Sequence, residues 1–281
     1  MNERELVARL RAKATSVPGL VLGIGDDCAI FRPRAGQDLV FTTDLFLEDI
    51  HFRRASSTPE QAGRRALARS LSDIAAMGAS PRFCLVSLAL PAWADTKWFD
   101  AFYRGLLQLA REHRMAVAGG DLSHAEKLVC DVMICGSVAK GKALRRDGAA
   151  PGDVLYVSGP LGGWTHKEMP EPRIALGRKL VGKASAAMDL SDGLSLDLHR
   201  LCLASGVAAK VDCEPPRLPG ATLDQALHDG EDYELLYTAP ENVSVPGFRI
   251  GSIVRGRPGR VSFLGKPLPP QGYDHFSRNR S

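Results

Sequence analysis

The chain has 281 residues, 44% of them hydrophobic, with 36 Lys and Arg against 32 Asp and Glu. That composition carries enough apolar surface to offset the entropy of ordering, so it excludes a disordered tail, and the length implies about one to two domains. A net charge of +4 and 6% aromatic residues supply neither a basic arm nor a base-stacking surface, which argues against nucleic acid as a partner.

Residues 2–14 read as an amphipathic helix with no apolar signal core. LVLGIG (20–25) reads as a strand ending in a glycine turn, and DLVFTTD (38–44) as a second strand. Thr58-Pro59-Glu60-Gln61 combines an N-cap, a proline at the first helical position and a capping-box Gln. A helix therefore starts there, runs to Met77 and stops at Gly78. FCLVSLALP (83–91) is β-rich and 96–112 is helical. MAVAGGD (115–121) reads as a buried strand ending at its glycines, and KLVCDVMICGSV (127–138) as another strand. KGKALRRDGAAPG (140–152) is basic and rich in Gly and Ala. It separates a domain at 1–140 from a domain at 141–281. In the second block DVLYVSG (153–159), ASAAMDL (184–190) and YELLYTA (233–239) are strands, and 194–204 is a helix. The alternation implies an α/β or α+β architecture in two halves.

No stretch reaches the roughly 18 apolar residues that cross a bilayer. The six cysteines, at positions 28, 84, 130, 135, 202 and 213, form no CxxC pair. They read as reduced, mostly buried thiols of a soluble, cytoplasmic protein without a membrane partner.

The aspartates fall beside Gly, Ser and Thr: Asp26 and Asp27 in GIGDD, Asp44 in TTD, Asp73 in LSD, Asp121 in GGD, Asp189 and Asp192 in DLSDG. Carboxylates with hydroxyl and backbone oxygens are the hard ligands that Mg²⁺ selects. Each motif alone has a plainer reading. Asp26-Asp27 suits a turn, Asp192 an N-cap, and Asp73 an ion pair with Arg69 one helical turn earlier. Together they point to a shared cage. Uncompensated, each close pair would repel by about 4 kcal/mol at 4 Å and an effective dielectric of 20, so convergence requires cations or protonation. The stretch 177–183 spells GxxxxGK, but Ala184 stands where a hydroxyl should hold Mg²⁺ and a strand follows, so it is not a phosphate loop. No GxSxG, HExxH, HRD or DFG set occurs. His51 is either a substrate contact or structural. DGEDYELL, from its residues alone, is a charged turn.

GIGDDCAIF (23–31), FTTDLFLEDIHF (41–52), RRALARSLSDIAAMGASP (64–81), AGGD (118–121), GKALRRDGAAPGDVLYVSGPLG (141–162), MDLSDGLSLDL (188–198), GEDYELLYT (230–238) and GYDHF (272–276) follow one another along the chain. In this order they resemble the thiamine-monophosphate kinase family, of the superfamily that includes aminoimidazole ribonucleotide synthetase. The resemblance implies a two-domain α+β fold of the synthetase type. The N-terminal halves would form a β-barrel across a homodimer, and the C-terminal domain would be α/β. It implies direct phosphoryl transfer from ATP to thiamine monophosphate, giving thiamine diphosphate, with several Mg²⁺ ions and no covalent catalytic residue. Position by position it makes Asp27, Thr42, Thr43, Asp44, Asp73, Asp121, Asp189 and Asp192 metal ligands. It places Gly120, Asp121, Arg146, Ser191 and Tyr103 at nucleotide contacts, and His51, Glu231 and Tyr273 at thiamine monophosphate. The plainer alternatives are a solvated loop for Arg146 and a half-buried helix position for Tyr103. Three departures from the family pattern stand out: only 164–169 separate PLGG from PEPR, LSH follows GGD where TTR is usual, and DGEDYE replaces GGEDYE.

Both reactants would be polyanions, so the protein's work is positioning and charge neutralisation. A phosphate nucleophile is already anionic at pH 7 and needs no general base. Arg146 would bring a cation to the triphosphate. Glu231 and the Tyr273 ring would suit a cationic aromatic acceptor. Other ATP-using enzymes of the superfamily, such as aminoimidazole ribonucleotide synthetase or selenide, water dikinase, remain open, as do a catalytically silent nucleotide–Mg²⁺ binding protein and, more weakly, a metal-dependent phosphatase.

Overall fold

Two units make up the computed structural model, which describes residues 3–166, 169–274 and 276. Residues up to 74 and 79–141 form the first, and 75–78 with 142 onward form the second. Asn2 and His275, which belong to the expected first helix and to the GYDHF motif, lie outside the described residues, as do positions 167 and 168 of the short 164–169 segment.

In the first unit the elements are α1 (Glu3–Lys13), β1 (Leu20–Leu22), β2 (Ile30–Phe31), β3 (Gln37–Leu47), α2 (Pro59–Ala76), β4 (Ser80–Leu90), α3 (Thr96–Glu112), β5 (Ala116–His124) and β6 (Val129–Ala139). α2 ends in residues that cluster with the second unit. Four strands form a sheet in the order β3-β6-β4-β5. β4 and β5 are parallel, joined through α3, and the other pairs are antiparallel. Alternation decides the faces. On β4, Cys84, Val86, Leu88 and Leu90 are buried while Leu85, Ser87 and Ala89 are half-buried. The buried face lies under α2 and α3: Ser70 Oγ donates to the Val132 carbonyl at 3.0 Å, and Tyr103 sits against Cys84 and Cys130.

The two helices cross with no side chain between them at two points. A Cβ on Gly63 would lie 1.9 Å from the Phe102 carbonyl oxygen, and one on Gly105 2.0 Å from that of Glu60. α2 starts with the expected capping box, Thr58 N–H to Gln61 Oε1 at 2.8 Å and Gln61 N–H to Thr58 Oγ1 at 3.2 Å. α1 is clasped to α3 by Arg9 and Lys13, 2.7 and 2.8 Å from the Asp100 carboxylate. The strand expected to end at the GGD glycines instead runs through them to His124.

The second unit contains β7 (Val154–Val157), α4 (Ile174–Leu180), β8 (Ala186–Asp189), α5 (Leu194–Ser205), β9 (Ala208–Val211), α6 (Leu223–His228), β10 (Leu235–Ala239), β11 (Phe248–Val254), β12 (Val261–Phe263) and β13 (Lys266–Pro267). Its seven strands run β13-β12-β9-β11-β7-β10-β8. Only β9 and β12 pair in parallel. The α/β expectation for this half is therefore corrected: the helices do not link successive parallel neighbours, and the sheet is mixed and mostly antiparallel. Its core packs Leu194, Leu198 and Leu201 of α5 on Leu155, Met188, Leu236 and Ile253. The GxxxxGK stretch falls at the end of α4, ahead of β8, the reverse of a phosphate loop. Among the described residues no helix is long and apolar enough to cross a membrane.

Candidate active site

Leu45, Asp131, Ser87 and Asp121 pair in register across all four strands of the first sheet, so their side chains share its open face. With strands about 4.8 Å apart, Asp131 and Asp121 stand two strands from each other with Ser87 between them. β5 comes close to β4 here only because Gly120 has no side chain. Its φ is +142°, and a Cβ would lie 1.9 Å from the Val86 carbonyl oxygen. The N-terminal segment lies across this face. Leu20 and Phe31 pack with Phe83, Leu85 and Met133, and the Phe31 and Phe83 rings are 5.1 Å apart.

A cleft of about 860 Å³ opens beside this packing, lined by Asp26, Asp27, Cys28, Ser87, Gly120, Asp121 and Tyr103 among others. Four of the expected residues, Asp27, Gly120, Asp121 and Tyr103, thus meet at one cleft. The Asp27 N–H donates to Asp26 Oδ1 at 2.9 Å, which fixes the GIGDD turn. Tyr103 is fully buried in α3, not half-buried, and burial holds its phenol well above the ordinary range. It contributes wall more than a titrating hydroxyl.

Thr42, Thr43 and Asp44 are consecutive on β3, so they alternate between faces. Thr43 is on the open side and donates to Asp131 Oδ1 at 2.5 Å. Thr42 is on the helix side, where its hydroxyl donates to the Asp73 carboxylate. Asp44, also on that side, is half-buried. Burial raises its carboxyl above the ordinary range, against the opposing pull of the Arg69 guanidinium and the Ser70 hydroxyl, while Asp131 raises it further. His51 is 5% exposed in the turn after β3. Its Nδ1 accepts the Leu47 N–H at 2.9 Å, and its ring stacks on Phe46 at 6.0 Å.

In the second unit Ser191, Asp192, Glu231 and Tyr273 come together through the backbone. The Glu231 N–H donates to the Ser191 carbonyl at 2.7 Å, and the Tyr273 N–H to the Asp192 carbonyl at 3.0 Å. The Ser191 and Asp192 N–H groups both donate to Asp197 Oδ2, at 3.1 and 3.0 Å. Burial pushes the Asp197 carboxyl up to about 6. The Asp192 carboxylate pairs with Arg200. Asp189 is buried at the end of β8. Arg146 is not brought to this group. Its carbonyl accepts the hydroxyl of Ser205 at 2.8 Å, at the far end of α5 from Asp192, and its side chain is exposed.

Among the described residues no three His, Cys, Asp or Glu side chains stand close enough to hold a metal ion between them. Within the first unit the carboxylates are spaced singly or in pairs along the cleft and β3. Such spacing still fits Mg²⁺, which keeps several waters and is usually held by one or two carboxylates plus substrate phosphates. Sequence reasoning missed Asp131, Asp197 and the buried Asp232. The signal for Asp131 was a carboxylate inside an otherwise apolar strand, and alternation alone would have put it on an exposed face.

Residues 25–138 match the model of the family described as AIR synthase related protein, N-terminal domain. Over 98% of its length the chain is 34% identical to the thiamine-monophosphate kinase of Bacillus subtilis (strain 168), covering all of that protein. It is 35% identical, with a TM-score of 0.84, to the crystal structure of thiamine-monophosphate kinase from Stenotrophomonas maltophilia K279a, covering 95% of this chain and 98% of that one. A solved structure described as AaThiL complexed with AMPPCP and TMP is 30% identical, with a TM-score of 0.80, over 87% of this chain and 89% of that one.

Proposed function

The chain belongs to the thiamine-monophosphate kinase family, and from that premise we propose how its own residues carry the reaction. It is a thiamine-phosphate kinase: the terminal phosphoryl group of ATP passes to the phosphate of thiamine monophosphate, leaving ADP and thiamine diphosphate. A phosphate oxygen of the acceptor attacks the γ-phosphorus. The bond from that phosphorus to the β–γ bridging oxygen breaks, and ADP takes the electron pair. No residue of the chain becomes phosphorylated.

The observation that supports the nucleotide side is the cleft on the open sheet face. Its volume lies within the roughly 300–1,000 Å³ of small-molecule sites, and its lining combines two Asp segments with a side-chain-free backbone at Gly120. In this reading the Gly120 backbone lets phosphates approach β5, and Asp27 and Asp121 take the metal-bound triphosphate. Thr43 and Asp131 extend the same oxygen surface. Asp44 and Asp73 offer carboxylates and Thr42 a hydroxyl to metal beneath β3, and in the second unit Asp189 and Asp192 offer metal ligands and Ser191 a nucleotide contact. Arg146, exposed on its loop in the second unit, offers a cation to the nucleotide, and Tyr103 backs the cleft. Mg²⁺ held by Asp27 and Asp121 would neutralise the charge that keeps two polyanions apart. His51, Glu231 and Tyr273 contact thiamine monophosphate, the last two through a carboxylate and a ring that favour its thiazolium cation.

The open face also favours a homodimer. Phe41 and Leu45 on β3 are 63% and 53% exposed, on a long edge strand that a lone protein would leave unprotected. A second copy closing a barrel over this face, in the cytoplasm, completes the reading.

The deciding experiment mixes protein, ATP, Mg²⁺ and thiamine monophosphate and follows the products by mass spectrometry. Asp121→Asn is expected to lower kcat by about a hundredfold or more with an unchanged far-ultraviolet circular dichroism spectrum. Full turnover of that variant at saturating Mg²⁺ would remove Asp121 from the site.

A further inference from the structure

Glu231 and Tyr233 both have left-handed backbones, with φ of +67° and +50°. Side chains rarely tolerate this, and such strain persists only where the surroundings impose it. Between them Asp232 is wholly buried, and its Oδ1 accepts the N–H groups of Gly162 and Gly163, each at 3.0 Å. The same stretch is tied again one residue on, where the Trp164 N–H donates to the Gly230 carbonyl at 3.0 Å. Glu234, also wholly buried, accepts Arg173 Nε at 2.7 Å and Nη2 at 2.5 Å, and the Ser158 hydroxyl as well. On the other side of the turn, the Glu231 N–H donates to Ser191 and the Tyr233 N–H to Leu190, at 2.7 and 2.8 Å. A charged turn on a surface would need none of this.

We propose that Asp232 and Glu234 are positioning residues for the acceptor: their buried carboxylates lock residues 158–164 onto the turn at 230–233 and so hold Glu231, beside Ser191, in a backbone conformation it would not keep alone. Backbone amides converging on one oxygen make a fixed anion seat. A bidentate guanidinium fixes both position and plane of the second carboxylate. Neither group faces outward. Glu231 is half-buried and so is open to contact with a ligand. The clamp acts on acceptor recognition and leaves the nucleotide cleft of the first unit untouched. PLGG and GEDYE, about seventy positions apart, thus meet through the Asp232 carboxylate, which satisfies two PLGG amides.

This role rests on the assignment of Glu231 to thiamine monophosphate, so the test includes that residue. Steady-state kinetics are measured with Glu231→Gln, Asp232→Asn and Asp232→Ala, varying ATP and thiamine monophosphate separately. The Asn variant keeps a neutral oxygen for the two glycine amides; the Ala variant keeps nothing. The expected result is a graded rise in KM for thiamine monophosphate, about threefold for Asn and about tenfold or more for Ala, with KM for ATP unchanged. If Glu231→Gln leaves the acceptor KM unchanged, the assignment of Glu231 fails. If Glu231→Gln raises it and Asp232→Asn does not, or if Asp232→Asn raises both KM values equally, the positioning role fails. The Asn variant decides alone should the Ala variant not fold.

Discussion

A methyl group at Gly120 has nowhere to go: it would lie 1.9 Å from the Val86 carbonyl oxygen, on a backbone with φ of +142°. Gly120→Ala is therefore expected to cost about 2–4 kcal/mol and to part β5 from β4 just where Asp121 and Ser87 share a row. Urea titration reads the first effect, and loss of nucleotide affinity by calorimetry reads the second. An unchanged midpoint would mean that β5 can slide to make room. The glycines of GGD were visible in the sequence, but their reason was not. They read as the end of a strand, and they are the place where one strand must press against another without a side chain. Asp232 is a similar case. In sequence it is one more acid in a charged turn. Only the fold shows that two amides from a stretch some seventy residues earlier make burial of that charge tolerable.

Elements with long periodic patterns were legible: β3, α2, β4, α3 and β6 match their sequence expectations to within a few residues, because eleven or more residues of alternation or helical spacing outvote local noise. What stayed hidden was short. β9, β12 and β13 have four, three and two residues, and α6 has six, too few to show a period. α6 did carry a readable sign, the Thr222/Gln225 capping box. At this scale the clasp of α1 on α3 makes a pH prediction. Hydrogen bonding from Lys13, with the charge of Arg9 beside it, lowers the Asp100 carboxyl below its ordinary 3.8. A carboxyl lowered by folding adds stability above its unfolded value and loses it as pH falls through the folded one. The pairs are partly exposed, so the gain is small, about 0.2–1 kcal/mol each, and salt weakens it. Hydrogen exchange of amides 3–13 should quicken in Asp100→Asn at pH 7. It should match the parent protein in acid well below 3.8, where both side chains are uncharged. Equal exchange at both pH values would show that α1 is held by its apolar contacts alone.

For the whole molecule, the sequence conveyed the mixture of helices and sheets but not the sheet order of the second unit. Strand neighbours there are set by contacts between distant segments, as when β12 pairs with β9 across some fifty positions. The open face of the first sheet leads to a prediction about assembly. Light scattering during size exclusion should report a dimer for the parent chain and a monomer for Phe41→Asp, since a carboxylate buried at a two-fold contact finds no partner in its own image. A monomeric parent chain would leave Phe41 and Leu45 uncovered and defeat the barrel. The cysteines add a practical consequence. Burial raises the thiols of Cys84 and Cys202 to about 12 and Cys135 to about 11, and Cys130 higher still. These stay protonated and slow to alkylate, whereas Cys28 is exposed at the cleft and Cys213 is exposed elsewhere. With Cys213→Ser in place, a maleimide dye meets one fast-reacting thiol next to Asp27, so labelling speed becomes a gauge of whether the cleft is filled.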